Sequence, residues 1–129
     1  MKIVVLGARI LLGLLFTVFG LNHLVPFIHA AVPPGDATTL LGLMVAHHWF
    51  AFYGLVEAAG GLMLLTGRFV PLGLTLLAGM LTNILLFHLT LEPSGLPAML
   101  VFGVLELTLV YAYRASFAGI FAAKAQPAV

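Results

Sequence analysis

Residues 50–68, FAFYGLVEAAGGLMLLTGR, decide the fold because they form an apolar stretch with one acidic residue, Glu57, near its middle. About 20 helical residues cross the roughly 30 Å hydrocarbon layer of a bilayer, so a stretch of this kind is typical of a transmembrane helix. A carboxylate in that layer costs roughly 3 kcal/mol on insertion scales and therefore needs a partner, water or a proton. The sequence offers four polar candidates in the other apolar stretches, which are Arg9, Asn83, His88 and Glu106.

The composition of the whole chain indicates an integral membrane protein. Hydrophobic residues make up 63% of the sequence and charged residues 7%, with a mean hydropathy of +1.22. Soluble domains average about a quarter charged residues, so this chain lacks an adequate water-facing surface. A net charge of +1 without any basic run argues against a nucleic-acid partner. The sequence has no cysteine, which excludes disulfides and thiolate metal sites made by its own residues.

Four apolar stretches predict an all-α, polytopic membrane four-helix bundle in a single domain, residues 1–129. The expected spans are about 3–24, 50–66, 72–91 and 96–113. The first apolar run is longer than the 7–15 residues of a signal peptide core, so we expect it to remain uncleaved. The tail, 114–129, is expected to lie against the inner face of the membrane.

The connection 25–48 is too rich in proline and glycine to be a further span. Asp36 is a plausible N-cap for a short helix over 37–46, which we expect to lie at the membrane interface or to enter it as a re-entrant segment. Trp49 and the neighbouring histidines then mark the membrane boundary.

The positive charges predict the orientation of the bundle. With four spans, all lysines and arginines fall on or nearest one side, while Asp36 and Glu92 fall on the other. The positive-inside rule places the Lys and Arg side in the cytoplasm. Both termini are therefore expected inside, in a bacterial-type cytoplasmic (inner) membrane, with the connection 25–48 outside.

Glu57, Asn83 and Glu106 are about equally far from the outer ends of their spans, which predicts that they meet at one level. One interpretation is a buried polar pocket in which a carboxyl group relays a proton or binds a polar head group, with His88 nearer the outer side. The other is that these residues only hydrogen-bond the helices together. Two acids at one level are costly if they serve packing alone, but the sequence leaves both interpretations open.

The remaining polar residues are secondary candidates. His23, His47, His48 and Tyr53 are expected toward the outer side, yet no HxxxH or HxxE pattern occurs, and adjacent His47 and His48 point about 100° apart on a helix. We therefore predict no metal site. His88 needs a partner within an apolar span, and Glu92, one turn further on, could provide it. Arg9 either extends to the inner headgroups or pairs with a buried acid.

Several segments together resemble the DoxX-like family of small four-helix membrane proteins. They are ARILLGLLFTVFGLNHL (8–24), GLVEAAGGLMLLTGRFVPLGL (54–74), NILLFHLTLEPSGLP (83–97) and LELTLVYAYR (105–114). The resemblance assigns the family's polar and glycine positions to Glu57, Gly60, Gly61, Arg68, Asn83, His88 and Glu106. It implies a subunit of a membrane complex of the thiosulfate:quinone oxidoreductase or terminal quinol oxidase type.

The leading functional hypothesis is a membrane subunit that binds a quinone-like or other small amphipathic ligand and supports a redox protein partner. Glu57 would handle a proton, while Asn83 and His88 would hydrogen-bond a carbonyl head group. A quinone is the candidate cofactor, and the sequence does not decide whether the chain is itself an enzyme. The alternatives are a structural or assembly subunit, or a small oligomeric transporter. The small-residue ridge at Gly54, Ala58 and Gly61 could serve internal packing or a homo-oligomer.

Overall fold

The computed structural model describes residues 1–128, which contain helices and turns but no strand. The helices are α1 (Lys2–Leu24), α2 (Asp36–Ala46), α3 (Trp49–Thr66), α4 (Val70–Thr90) and α5 (Leu96–Ala112). Short 3₁₀ turns cover Pro93–Gly95 and Arg114–Phe117. The long helices begin and end within a residue or two of the positions expected from the sequence.

Helices α1, α3, α4 and α5 form a ring in which each contacts its two neighbours, α1 and α4 both packing against α3 and α5. Each of the four, with the turn before α5 included, is long and apolar enough to cross a membrane. Large apolar side chains also cover the outside of the ring, including Leu55, Leu62, Leu100 and Leu107, all at least half exposed. Apolar surface on this scale requires a non-aqueous environment, so the chain is of the membrane-protein class.

The two ends of the bundle are named here by a residue at each. The Trp49 end contains the last turn of α1, the start of α3 and the turn at Glu92. The opposite, Arg68 end has the start of α1, the α3–α4 turn and the end of α5.

Helices α1 and α3 approach so closely that their backbones touch. A Cβ atom added to Gly20 would lie 2.5 Å from the backbone nitrogen of Ala58 and 2.8 Å from the carbonyl oxygen of Gly54. One added to Gly61 would lie 2.6 Å from the backbone nitrogen of Thr17. Only glycine permits this separation. The small-residue ridge of α3 is therefore covered by α1 of the same chain, which shows that it serves internal packing.

The contact between α1 and α3 also fixes their relative height. Leu24, the last residue of α1, lies against Gly54, while Arg9 lies against Gly67 in the α3–α4 turn. The first two turns of α1 therefore extend beyond the α3–α4 turn at the Arg68 end. The helices are staggered, and their ends do not share one plane.

Residues with positive φ precede α2, α3 and α4 and also end α3. His48 (φ 59°) precedes α3 and Phe69 (φ 57°) precedes α4, and Gly67 (φ 68°) ends α3. Gly35 (φ 76°) precedes α2, so Asp36 is the first helical residue and its side chain makes no capping hydrogen bond. The expectation that Asp36 is the N-cap is wrong, because glycine adopts that backbone conformation at little steric cost.

The connection before α2 is anchored at its start. The Asn22 side chain oxygen accepts hydrogen bonds from the backbone N–H groups of Phe27 and Ile28, at 2.9 and 2.6 Å. Helix α2 then packs mainly on α3. After α5, the buried ring of Phe117 holds the start of the tail against the core.

Candidate functional site

A cavity of about 460 Å³ opens between the helices at the Trp49 end. All five helices contribute to its lining, and most of the surface is aromatic or aliphatic. The polar side chains that reach it are His23, Tyr53, Glu57, Asn83, His88 and Thr90. The size and the mixture of apolar walls with a few polar groups are typical of a site for a small organic ligand.

Glu57 lies at the wall of this cavity and is paired with His23 of α1. Nδ1 of His23 is 2.8 Å from Oε2 of Glu57, and Glu57 is 1% exposed. The His23 ring stacks on Phe50 with 4.9 Å between ring centroids. Glycines at the α1–α3 contact make the pairing reachable, because a Cβ added to Gly54 would lie 3.1 Å from Cβ of His23. The sequence listed His23 as a secondary candidate but did not predict this pair.

Because Glu57 holds Nδ1 of His23, the orientation of the imidazole is fixed by a hydrogen bond and by the Phe50 ring. A carboxylate that engages one ring nitrogen sets the tautomer and leaves the other nitrogen for a further partner. An imidazole and a carboxyl group in contact are the kinds of group that carry out general acid–base chemistry.

Asn83 and Tyr53 form a second polar contact at the cavity. The Tyr53 hydroxyl donates to Oδ1 of Asn83 over 3.4 Å, which is near the limit for a hydrogen bond. Both side chains therefore retain capacity for another partner, since an amide has two N–H donors and a phenol oxygen can also accept.

His88 occupies the rim of the cavity and contacts Glu92, the partner predicted from the sequence. Its Nδ1 lies 3.0 Å from Oε2 and 2.8 Å from the backbone oxygen of Glu92. The ring also lies directly on Gly95, where a Cβ atom would collide with it. The 3₁₀ turn Pro93–Gly95 thus positions His88 from outside the helix.

Glu92 has a lowered pKa because its charged form is well satisfied. The Ser94 hydroxyl donates to its carboxylate, His88 adds electrostatic attraction and a hydrogen bond, and the Gly95 N–H donates over 3.2 Å. Together these contacts outweigh the effect of burial and bring the pKa below the usual 4.5.

We expect the turn Pro93–Gly95 to loosen in acid. A group with a lowered folded-state pKa stabilises the structure above its unfolded pKa, and that contribution is lost as the pH falls through the folded value. At neutral pH, amide hydrogen exchange in this turn should be slower in the native chain than in Glu92→Gln. The difference should close as the pH falls below 4.5. A difference that persists in acid would contradict the role of the Glu92 charge.

Glu106 is buried but does not belong to this cavity. It is 3% exposed, and neither of its carboxyl oxygens has a hydrogen-bond partner within residues 1–128. Phe102, one turn nearer the Trp49 end, already packs against Phe16, with 5.3 Å between ring centroids. Glu57 lies opposite Gly20, a turn beyond Phe16, so Glu106 is well toward the Arg68 end from Glu57. The expectation of one level is corrected here, because Glu57 contacts α1 at Gly20 while Glu106 lies a turn beyond the Phe16–Phe102 contact in the opposite direction.

The other secondary candidates lie apart from the cavity. His47 and His48 are exposed between α2 and α3 and are not among its lining residues. The guanidinium of Arg9 lies beside Gly67, and across the described residues it has no carboxylate within ion-pair distance. This placement agrees with an arginine that extends toward the headgroups at the Arg68 end. A search of residues 1–128 found no group of three His, Asp or Glu side chains able to hold a metal ion.

Comparison with protein-family models, with curated proteins and with solved structures gives no match. Sequence reasoning missed the apolar half of the site, to which Phe19, Phe50, Phe87 and Phe102 contribute. Aromatic residues are common in any apolar span, so no signal in the sequence distinguished these from the others.

Proposed function

We propose that this protein is a membrane subunit whose cavity binds a quinone-like or other small amphipathic ligand and supports a redox protein partner. The observation behind this proposal is the cavity at the Trp49 end, where the pairs His23–Glu57 and Tyr53–Asn83, together with His88, face an otherwise apolar space. An apolar ring with polar carbonyl groups matches that combination of surfaces.

The residues present fit a quinone head group. Imidazole, phenol and amide groups can each donate a hydrogen bond to a carbonyl oxygen, and the chain has all three at this cavity. Such a ligand would supply the two-electron redox chemistry that the side chains of this cysteine-free sequence lack. His88 and Asn83 would orient the head group, while His23 and Glu57 would hold or release a proton.

The charges support an orientation in which the Arg68 end faces the cytoplasm. Lys2, Arg68 and Arg114 all lie at that end, whereas Glu92 lies at the other. Under the positive-inside rule, both termini are cytoplasmic and the cavity opens toward the outer side of a bacterial-type inner membrane. Helix α2 would lie near the outer interface over the cavity, to which it contributes Leu40, Leu41 and Met44.

Membership of the DoxX-like family is part of this proposal and rests on the sequence segments described above. Gly60 and Gly61 have clear packing roles, against Leu77 and against Thr17 respectively. Glu57, Asn83 and His88, which the resemblance groups together, all line one cavity.

Trp49 provides a direct test, because it lines the cavity and is the single tryptophan of the chain. A short-chain ubiquinone added to the purified protein in nanodiscs should quench its fluorescence with saturation. His88→Ala should weaken binding about tenfold, the equivalent of one lost hydrogen bond of about 1.4 kcal/mol. Ala98→Phe, which adds a ring to an apolar lining position and so fills part of the cavity, should weaken it as well.

Two matched variants serve as controls for this test. Glu106→Gln changes a buried acid outside the cavity, and His29→Ala removes an exposed imidazole that does not line it. Both should bind the ubiquinone as the native chain does. Glu57→Gln, in contrast, should alter the pH dependence of binding. Quenching that does not saturate, or that is equal in all variants, would refute the proposal.

A structural role is the second candidate, and the His23–Glu57 contact favours it specifically. The pair joins α1 to α3 beside the point where their backbones touch, so it could simply hold these helices together.

A further inference from the structure

The Arg68 end contains a second cavity, of about 520 Å³, between the beginning of α1 and the end of α5. Its lining includes three cationic side chains, Lys2, Arg9 and Arg114. Thr108, Tyr111 and Tyr113 line the same space. The function proposed for the cavity at the Trp49 end makes no use of any of these residues.

None of the three cations has an acidic partner among residues 1–128. The ion pairs in the described part of the chain are His23–Glu57 and His88–Glu92, both remote from this cavity. Nε of Arg9 is buried and has no hydrogen-bond acceptor among residues 1–128. A buried guanidinium N–H without an acceptor costs free energy, so the described residues leave the Arg9 charge uncompensated, and an anion bound nearby would stabilise that charge electrostatically.

The guanidinium of Arg114, which lines this cavity, is held by contacts with Tyr111. One of its Nη atoms donates to the backbone oxygen of Tyr111 over 2.9 Å, and its guanidinium lies 4.4 Å from the centroid of the Tyr111 ring. A guanidinium has five N–H donors, so these contacts leave most of its donors for another acceptor.

The location of the cavity indicates which anion it would hold. Arg9 lies level with the α3–α4 turn, and the two turns of α1 before it extend further at the Arg68 end. The cavity therefore lies where a membrane headgroup layer meets this end of the bundle. Val4 and Leu6, which also line it, are apolar and about 66% and 46% exposed. Charges beside exposed apolar side chains match a molecule with an anionic head and an acyl chain.

We propose that this second cavity binds the phosphate-bearing headgroup of an anionic phospholipid. Lys2, Arg9 and Arg114 contact the phosphate, and the apolar face of α1 contacts the first part of an acyl chain. The site is separate from the cavity at the Trp49 end, so a test of this proposal does not depend on the ligand proposed there.

The test compares lipid binding in delipidated protein by native mass spectrometry, with phosphatidylglycerol or phosphatidylcholine added back. The native chain should retain phosphatidylglycerol preferentially. Each cavity charge removed, as in Arg9→Gln or Arg114→Gln, should weaken that lipid about fivefold, the effect of about 1 kcal/mol per basic residue near an anionic headgroup. Arg68→Gln is the matched control, because Arg68 lies at the same end but does not line the cavity. It should change binding less than Arg114→Gln does.

A double variant and a competition with inorganic phosphate complete the test. Lys2→Gln with Arg114→Gln changes only exposed side chains, so it tests the site even if Arg9→Gln does not fold. Equal retention of both lipids, or an equal loss in Arg68→Gln, would overturn the proposal. Displacement of the lipid by millimolar inorganic phosphate would also overturn it, since the site would then recognise a free anion.

Discussion

Gly20→Ala and Gly61→Ala are each expected to destabilise the bundle strongly, because the added methyl group would meet the backbone of the facing helix. The added Cβ would lie 2.5 Å from the Ala58 nitrogen in the first variant and 2.6 Å from the Thr17 nitrogen in the second. These obstacles are backbone atoms, which cannot rotate away as a side chain can. Overpacking costs about 1–3 kcal/mol where neighbours can adjust, and we expect the upper part of that range or more.

The chain provides matched controls for these two variants. Gly79 and Gly103 also lie within long helices, but nothing would come within 4 Å of a Cβ added at either position. Gly79→Ala and Gly103→Ala should be neutral, or more stable by up to about 1 kcal/mol from helix propensity. Unfolding in mixed micelles with increasing dodecyl sulfate would rank all four variants. If Gly20→Ala unfolds at the same dodecyl sulfate fraction as Gly79→Ala, the close α1–α3 contact does not exist.

His23→Leu is expected to have the second large effect, because it leaves the carboxyl group of Glu57 buried without its partner. An unsatisfied buried polar group costs about 1–3 kcal/mol, and more if it is charged. Glu57→Leu alone is expected to cost less, since the partly exposed His23 can turn toward water or headgroups. The double variant should recover much of the loss caused by His23→Leu, because neither polar group is then left buried.

The same double-mutant cycle separates the two candidate functions. Stability changes from the four proteins give the coupling between His23 and Glu57, and ubiquinone binding is measured on the same samples. If the pair only joins helices, two results are possible. Either the double variant, whose stability is restored, binds the ubiquinone normally, or none of the four proteins binds it. If the pair serves the ligand, the double variant is stable but has an altered pH dependence of binding. A coupling near zero would show that the 2.8 Å contact is not an energetic interaction.

The helices were predictable because long apolar runs are interrupted by residues that end helices. Pro71 and Pro93 lie in the first turn of α4 and in the turn before α5, and Gly67 ends α3. The His88–Glu92 contact was predicted from helical spacing, but α4 ends at Thr90, so Glu92 reaches His88 from the turn that follows the helix.

The composition of the site was only partly predictable because it depends on how helices slide past each other. The sequence shows that Gly13, Gly20, Gly54 and Gly61 permit close packing, but it does not show which faces which. Counting from the outer end of each span assumed a common starting height and so placed Glu106 beside Glu57. The backbone contacts of α1 with α3 set another register and bring His23 to Glu57.

The stagger of α1 against α3 gives the bundle two hydrophobic lengths. Helix α3 has 18 residues, or about 27 Å at 1.5 Å each, whereas α1 has 23 residues and extends past the α3–α4 turn. A thin bilayer matched to α3 leaves Ile3 and Val4 among the headgroups. A thicker one covers them and draws Lys2 toward the hydrocarbon, or makes the bundle tilt. The thickness of the surrounding membrane thus determines the depth at which the Lys2 side chain resides.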